Sequence, residues 1–185
     1  MPSCAARLAF VLSTLAVAAI TLAPPAQAQI VPPIKPGLWE VKSEREVDGK
    51  KAPDPTEQIK NLPPDVRAKV EAMMKEKGVG VGEGGLNRVC LSRESLDQGR
   101  WQGQSDNCKT EFTTRSTSNW KWRSVCTKPD SESDGEALFA NSENYTVKSN
   151  LKMKIQGQDR LTRMTISARW LGAGCGDIKP VQPKP

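Results

Sequence analysis

Histidine is absent from all 185 residues. That removes the Ser-His-Asp arrangement, the Cys-His pair, histidine zinc sites and a histidine proton shuttle. The G-x-S-x-G elbow of serine hydrolases is missing. So are C-x-x-C redox pairs and the closely spaced cysteines of a structural zinc site, and no metal or cofactor is expected. Aromatic residues are scarce and uneven, with one tyrosine and three phenylalanines against five tryptophans. The formal charge of +6 is mild. Cations alternate with acids in Lys42-Ser-Glu-Arg-Glu46 and Arg67-Ala-Lys-Val-Glu71, as on an ordinary solvated face, and no nucleic-acid partner is expected.

The one long apolar run lies at the start, from Leu8 to Leu22. Arg7 precedes it, and Pro24, Pro25 and Ala26-Gln27-Ala28 follow, which together make a positive region, a hydrophobic region and a small-x-small cleavage site. The expectation is a signal peptide over 1–28, cut before Gln29, and a periplasmic (Gram-negative) or secreted protein that is not integral to the membrane after cleavage. Cutting there removes Cys4 from the five cysteines and leaves Cys90, Cys108, Cys126 and Cys175. An even count in an oxidising compartment predicts two disulfides.

The rest reads as one mainly β domain over 36–178, after an extended proline-rich lead-in at 29–35. Leu38–Val47 alternates, with Trp39, Val41 and Val47 on one face and Glu40, Lys42, Glu44 and Glu46 on the other. Residues 50–61 are polar and proline-punctuated, hence a loop. The stripe Val66, Val70, Met73, Met74, bounded by Pro64 and Gly78, predicts a helix over about 64–77. Gly78–Gly85 is read as a flexible linker, Arg88–Leu91 as a short strand and Ser92–Asp97 as a helical turn. Folding the chain about Thr117 sets Cys108 opposite Cys126, Thr110 opposite Ser124, Phe112 opposite Trp122 and Thr114 opposite Trp120, all on one face. Directly opposed cysteines can bridge, so the pairing is Cys108–Cys126 with Cys90–Cys175. Glu136–Ala140 is a short strand, and Asp130–Glu136 resembles a calcium loop only faintly, lacking its length and closing glutamate. Tyr145–Ile155 and Leu161–Trp170 are long strands joined by a turn at Gly157. Hairpins without intervening helices give a curved antiparallel sheet or partly closed barrel, stapled by disulfides, with one packed helix. Residues 179–185 are a loose proline-rich tail.

Several pieces occur together and in order: Lys35-Pro-Gly-Leu-Trp-Glu-Val41, Arg88-Val-Cys-Leu-Ser-Arg-Glu94, Cys108, Trp120 and Trp122 before Cys126, Asn144-Tyr145, and Arg169-Trp-Leu-Gly-Ala-Gly-Cys175. In these the chain resembles the DUF3617 family of exported, mostly proteobacterial proteins. The resemblance implies an envelope-located β domain in a Gram-negative bacterium. It implies no catalytic residue and no substrate class.

Candidate binding residues are the tryptophans Trp39, Trp101, Trp120, Trp122 and Trp170. Four fall at inward strand positions, and Trp101 falls in a loop. Around the mouth of a curved sheet they could hold an acyl chain or an aromatic ligand. Candidate acids for a carboxylate-only glycan hydrolase are Glu40, Glu44, Glu111 and Asp106. A basic stripe at Lys148, Lys152, Lys154, Arg160, Arg163 and Arg169 could meet an anionic envelope surface. With no nucleophile system in sight, the leading expectation is a non-enzymatic envelope protein that binds a hydrophobic small molecule, a lipid or another envelope component. The alternatives are the hydrolase and a structural, protein-interaction module.

Overall fold

The computed structural model describes residues 31–97 and 107–181. The expected signal peptide, Trp101, Asp106 and residues 182–185 lie outside them. Nine strands form a single open antiparallel sheet. They are β1 (Gly37–Val47), β2 (Lys50–Lys51), β3 (Val79–Val81), β4 (Asn87–Leu91), β5 (Cys108–Arg115), β6 (Asn119–Thr127), β7 (Asp130–Asn141), β8 (Asn144–Ile155) and β9 (Gln158–Gly172). Their order is β3-β4-β1-β9-β8-β7-β6-β5, with β2 beside β1. From β5 to β9 each strand pairs with the next in sequence, as short turns require. β9 then crosses to pair with β1, joining the two ends of the chain.

The period-2 pattern sorts the sheet into an apolar and a polar face. Trp39, Val41, Trp120, Ala137, Phe139, Tyr145, Val147 and Ala168 are buried together on the apolar face. An aromatic chain runs across it, from Trp39 to Tyr145 at 5.0 Å, on to Phe139 at 6.3 Å, then to Trp120 at 5.6 Å and Phe112 at 5.7 Å between centroids. Tilted and edge-on packing at these separations is what the ring quadrupoles favour. Ile34 of the lead-in and Leu96 of the short helix α3 (Arg93–Asp97) close one end of this face. Burial fades toward the other end, where Met164 and Ile155 are exposed although period places them inward.

Both expected disulfides are present. Cys108–Cys126 joins directly opposed residues with Cα atoms 4.0 Å apart, and Cys90–Cys175 ties β4 to the segment after β9. The hairpin register holds through Phe112 opposite Trp122, then shifts by one residue. A bulge at Thr113 puts Arg115, not Thr114, opposite Trp120. The extra residue lets the Arg115 guanidinium lie 3.7 Å over the Phe112 ring and 5.1 Å over Trp120, which a threonine opposite Trp120 could not do.

Three segments are more ordered than their composition suggested. The loop at 50–61 contains β2 and helix α1 (Pro55–Lys60), whose cap Asp54 accepts from the Thr56 backbone N–H. The glycine-rich stretch holds β3, and a Cβ at Gly80 would strike the Ile178 side chain. Glycine there serves close approach of the chain after Cys175, which buries Ile178 and continues to Val181. The Val181 N–H donates to the Cys90 carbonyl, and the Lys179 N–H donates to the Lys75 carbonyl. The acidic stretch Asp130–Glu136 is the start of β7 rather than a calcium loop, its acids outward and Ser131, Ser133 and Gly135 inward. Helix α2 (Pro64–Glu76) packs at the β3 edge. The predicted stripe splits, because Val70 and Met74 are half-buried while Val66 and Met73 (60% exposed) face solvent. Ion pairs from Lys75 to Asp177 and from Glu76 to Lys179 hold its last turn.

Candidate functional site

The tryptophans are placed for packing. Trp39 and Trp120 are completely enclosed. Their indole N–H groups donate to the carbonyls of Lys35 and Ser116, at 3.0 and 2.9 Å. Trp122 and Trp170 are half-buried against the same core. Trp170 donates to the Pro36 carbonyl at 3.0 Å and carries the Lys35 ammonium over its ring. Trp101 lies outside the described residues.

A groove of about 740 Å³ opens on the opposite, polar face. Two rows of outward side chains in adjacent register build it. The first runs Lys42, Ser167, Thr146, Leu138, Asn119 across β1, β9, β8, β7 and β6. The second runs Glu40, Arg169, Asn144. At the usual inter-strand spacing the first row is about 19 Å long. Leu86 adds an apolar wall beyond Lys42, and Leu138, 45% exposed, forms the other wall. The cavity is lined from five neighbouring strands.

The charges in the groove are paired. Arg169 holds Glu40 at 2.7 Å, and Lys42 holds Glu44 at 2.8 Å. Hydrogen bonding and charge from Lys42 keep the Glu44 carboxyl below the usual glutamate range. The small polar groups differ. The hydroxyls of Thr146 and Ser167, opposed on β8 and β9, have no hydrogen-bond partner among the described residues. Asn119 donates its amide to Glu136 at 2.8 Å, which fixes the orientation of the carboxamide, since a carboxylate can only accept. Its Oδ1 is left buried and unpartnered.

The candidate acids do not converge. Glu40 alone of them lines the groove, Glu44 is tied to Lys42, and Glu111 lies on β5 with Lys109 at 2.9 Å. Lys109 also holds Glu111 below its ordinary range, the reverse of what a general acid needs. Asp106 lies outside the described residues. A second depression, about 530 Å³, collects Asp48, Asp130, Glu132 and Asp159 with Lys152, Lys154 and Arg160. Asp48 is committed there to the Leu161 N–H and to Arg160, and Glu132 to Arg123.

The arginines of the basic stripe are ion-paired. Arg160, Arg163 and Arg169 pair with Asp48, Glu46 and Glu40, all from β1 or the turn after it. Lys148, Lys152 and Lys154 stand opposite Glu136, Glu132 and Asp159 on the neighbouring strands. Ser167, Thr146, Asn119 and Leu138 went unread in the sequence, because serine or threonine at an outward strand position is ordinary. Only the register sets them side by side.

The family model described as protein of unknown function (DUF3617) matches residues 34–175. A Pseudomonas putida protein named "Uncharacterized protein in lpd-3 5'region" is 35% identical over 121 residues, covering 62% of this chain and 83% of the relative. No solved structure matches the chain.

Proposed function

The chain belongs to the DUF3617 family, and from that premise we propose that it is a non-catalytic binding domain, exported to the cell envelope, which holds its ligand in the groove on the polar face of the sheet. The observation that carries this is the groove itself, a concavity of about 740 Å³ whose floor is two rows of side chains held in register by five strands. A site on the middle of a sheet is rigid, which favours binding by pre-organised groups. Export is supported by the N-terminal pattern and by the two disulfides.

The glycan-hydrolase alternative is less well supported. Among the described residues Glu40 is the sole acid lining the groove and it is bound to Arg169, whereas hydrolysis through carboxylates needs two, one of them protonated. A ligand held among the tryptophans is also less well supported, since Trp39 and Trp120 are enclosed and none of the described tryptophans lines the groove.

Native mass spectrometry of protein recovered from its own periplasm tests the proposal. A bound mass is expected on the wild type and not on Thr146→Arg, which fills the floor of the groove. Protein that is empty in repeated preparations, or a bound mass that survives Thr146→Arg, would refute it.

A further inference from the structure

We propose that the ligand of this groove is a neutral oligosaccharide, an inference that rests on the groove being the binding site. Each competing class fails on a feature of the floor. An acyl chain would desolvate the unpartnered Thr146 and Ser167 hydroxyls and return no hydrogen bond, which costs more than leaving them wet. An anionic ligand would need free cations, but Arg169 and Lys42 are already held by Glu40 and Glu44. An extended peptide binds through its backbone, and that needs the edge of a sheet. The floor here lies mostly on β9, β8 and β7, inner strands whose backbone groups are occupied by neighbours on both sides, while β1 is paired with β4 through Val41 and β6 with β5.

What the groove offers instead is short side chains that both donate and accept. The hydroxyls of Thr146 and Ser167 sit in opposed register, with the carboxamide of Asn144 in the next row. Sugar hydroxyls donate and accept in the same way and carry no charge. The walls, Leu86 and Leu138, would meet the apolar C–H faces of the rings.

The test is an amide-resolved NMR titration of the oxidised mature chain with the N-acetylglucosamine tetramer and, separately, with cellotetraose. At least one should shift the amides of Ser167, Thr146 and Asn119 together with the side-chain amides of Asn119 and Asn144. The Thr146→Val, Ser167→Ala pair keeps strand propensity and shape, and should weaken that binding about tenfold or more. Should the double variant misfold, Ser167→Ala alone should weaken it about threefold. No shift with either tetramer at millimolar concentration, or shifts confined to other surfaces, overturns the saccharide assignment. Lauric acid and an uncharged extended hexapeptide, run in parallel, separate the two levels of inference. If one of them moves the groove amides while the sugars do not, the ligand class is wrong and the groove reading stands. If no probe moves them and the native protein carries no bound mass, both fall.

Discussion

At the scale of single residues, Gly135 shows how closely the apolar face is fitted. It lies on β7 opposite Trp122, and a Cβ there would run into the six-membered ring of that indole. Gly135→Ala should therefore destabilise the protein by about 1–3 kcal/mol through overpacking, read as a lower urea midpoint with the slope unchanged. Tyr145 makes a second case. Packed between Trp39 and Phe139, its phenol is pushed well above its ordinary range by burial. A raised pKa in the folded state means that stability is intact below the ordinary tyrosine pKa and declines as pH rises beyond it. Since the chain has one tyrosine, the phenolate absorbance reports on this group alone. It should stay silent above pH 10 until the protein unfolds, and a smooth titration near pH 10 with the fold intact would contradict the packing.

Between elements, the chain is held at two ends by different devices. The turn after β1 is joined to the start of β9 by Asp48, which accepts from the Leu161 N–H at 2.9 Å and pairs with Arg160. Those interactions, the backbone hydrogen bond first, hold the Asp48 carboxyl below the usual aspartate range. A depressed pKa contributes stability above the ordinary aspartate value and loses it as pH falls through the folded one. Asp48→Asn should be less stable than wild type at pH 7, and the gap should close toward pH 3 in paired urea melts. The β5–β6 hairpin is held by Cys108–Cys126. Replacing that pair with alanines should cost about 2–4 kcal/mol, and non-reducing peptide mapping should recover both bridges from wild type. The hairpin register was legible because period, aromatic opposition and cysteines all agreed on it. The bulge at Thr113 was not, since nothing local distinguishes a threonine that pairs from one pushed out of the ladder.

At the scale of the whole molecule, the two faces of the sheet have unequal cover. One end of the apolar face is closed by Ile34, Leu91 and Leu96, while α2 stays at the β3 edge and leaves Met164 and Ile155 exposed. The narrow stripe of α2 predicts a helix packed on the sheet or capping one end of it, and only Val70 and Met74 of that stripe are half-buried while Val66 and Met73 face solvent. Its position is set instead by the chain after Cys175, through the Lys75–Asp177 and Glu76–Lys179 pairs. On the export proposed above, the intact mass in a periplasmic fraction should correspond to a chain that starts at Gln29 with four cysteines oxidised. A mass that retains residues 1–28 would contradict cleavage.

The local pattern by itself determined the class of the fold. Alternation carried by Trp39, Val41 and Val47 in the first strand and nearly unbroken from Tyr145 to Ile155, with turns too short for helices, permits little but an antiparallel sheet. It also determined which face of each strand is apolar and which cysteines meet, because a one-residue slip would set Phe112 and Trp122 on opposite faces and part Cys108 from Cys126. What only the tertiary structure decided was the order of strands and what lies on the polar side. β1 sits between β4 and β9 because long-range pairing, set by no neighbour in sequence, places it there. That pairing brings Lys42 and Glu40 beside Ser167 and Arg169, residues more than a hundred positions away. Hydroxyls and amides at outward positions carry no periodic signal, so the groove they form exists only once the strands are laid side by side.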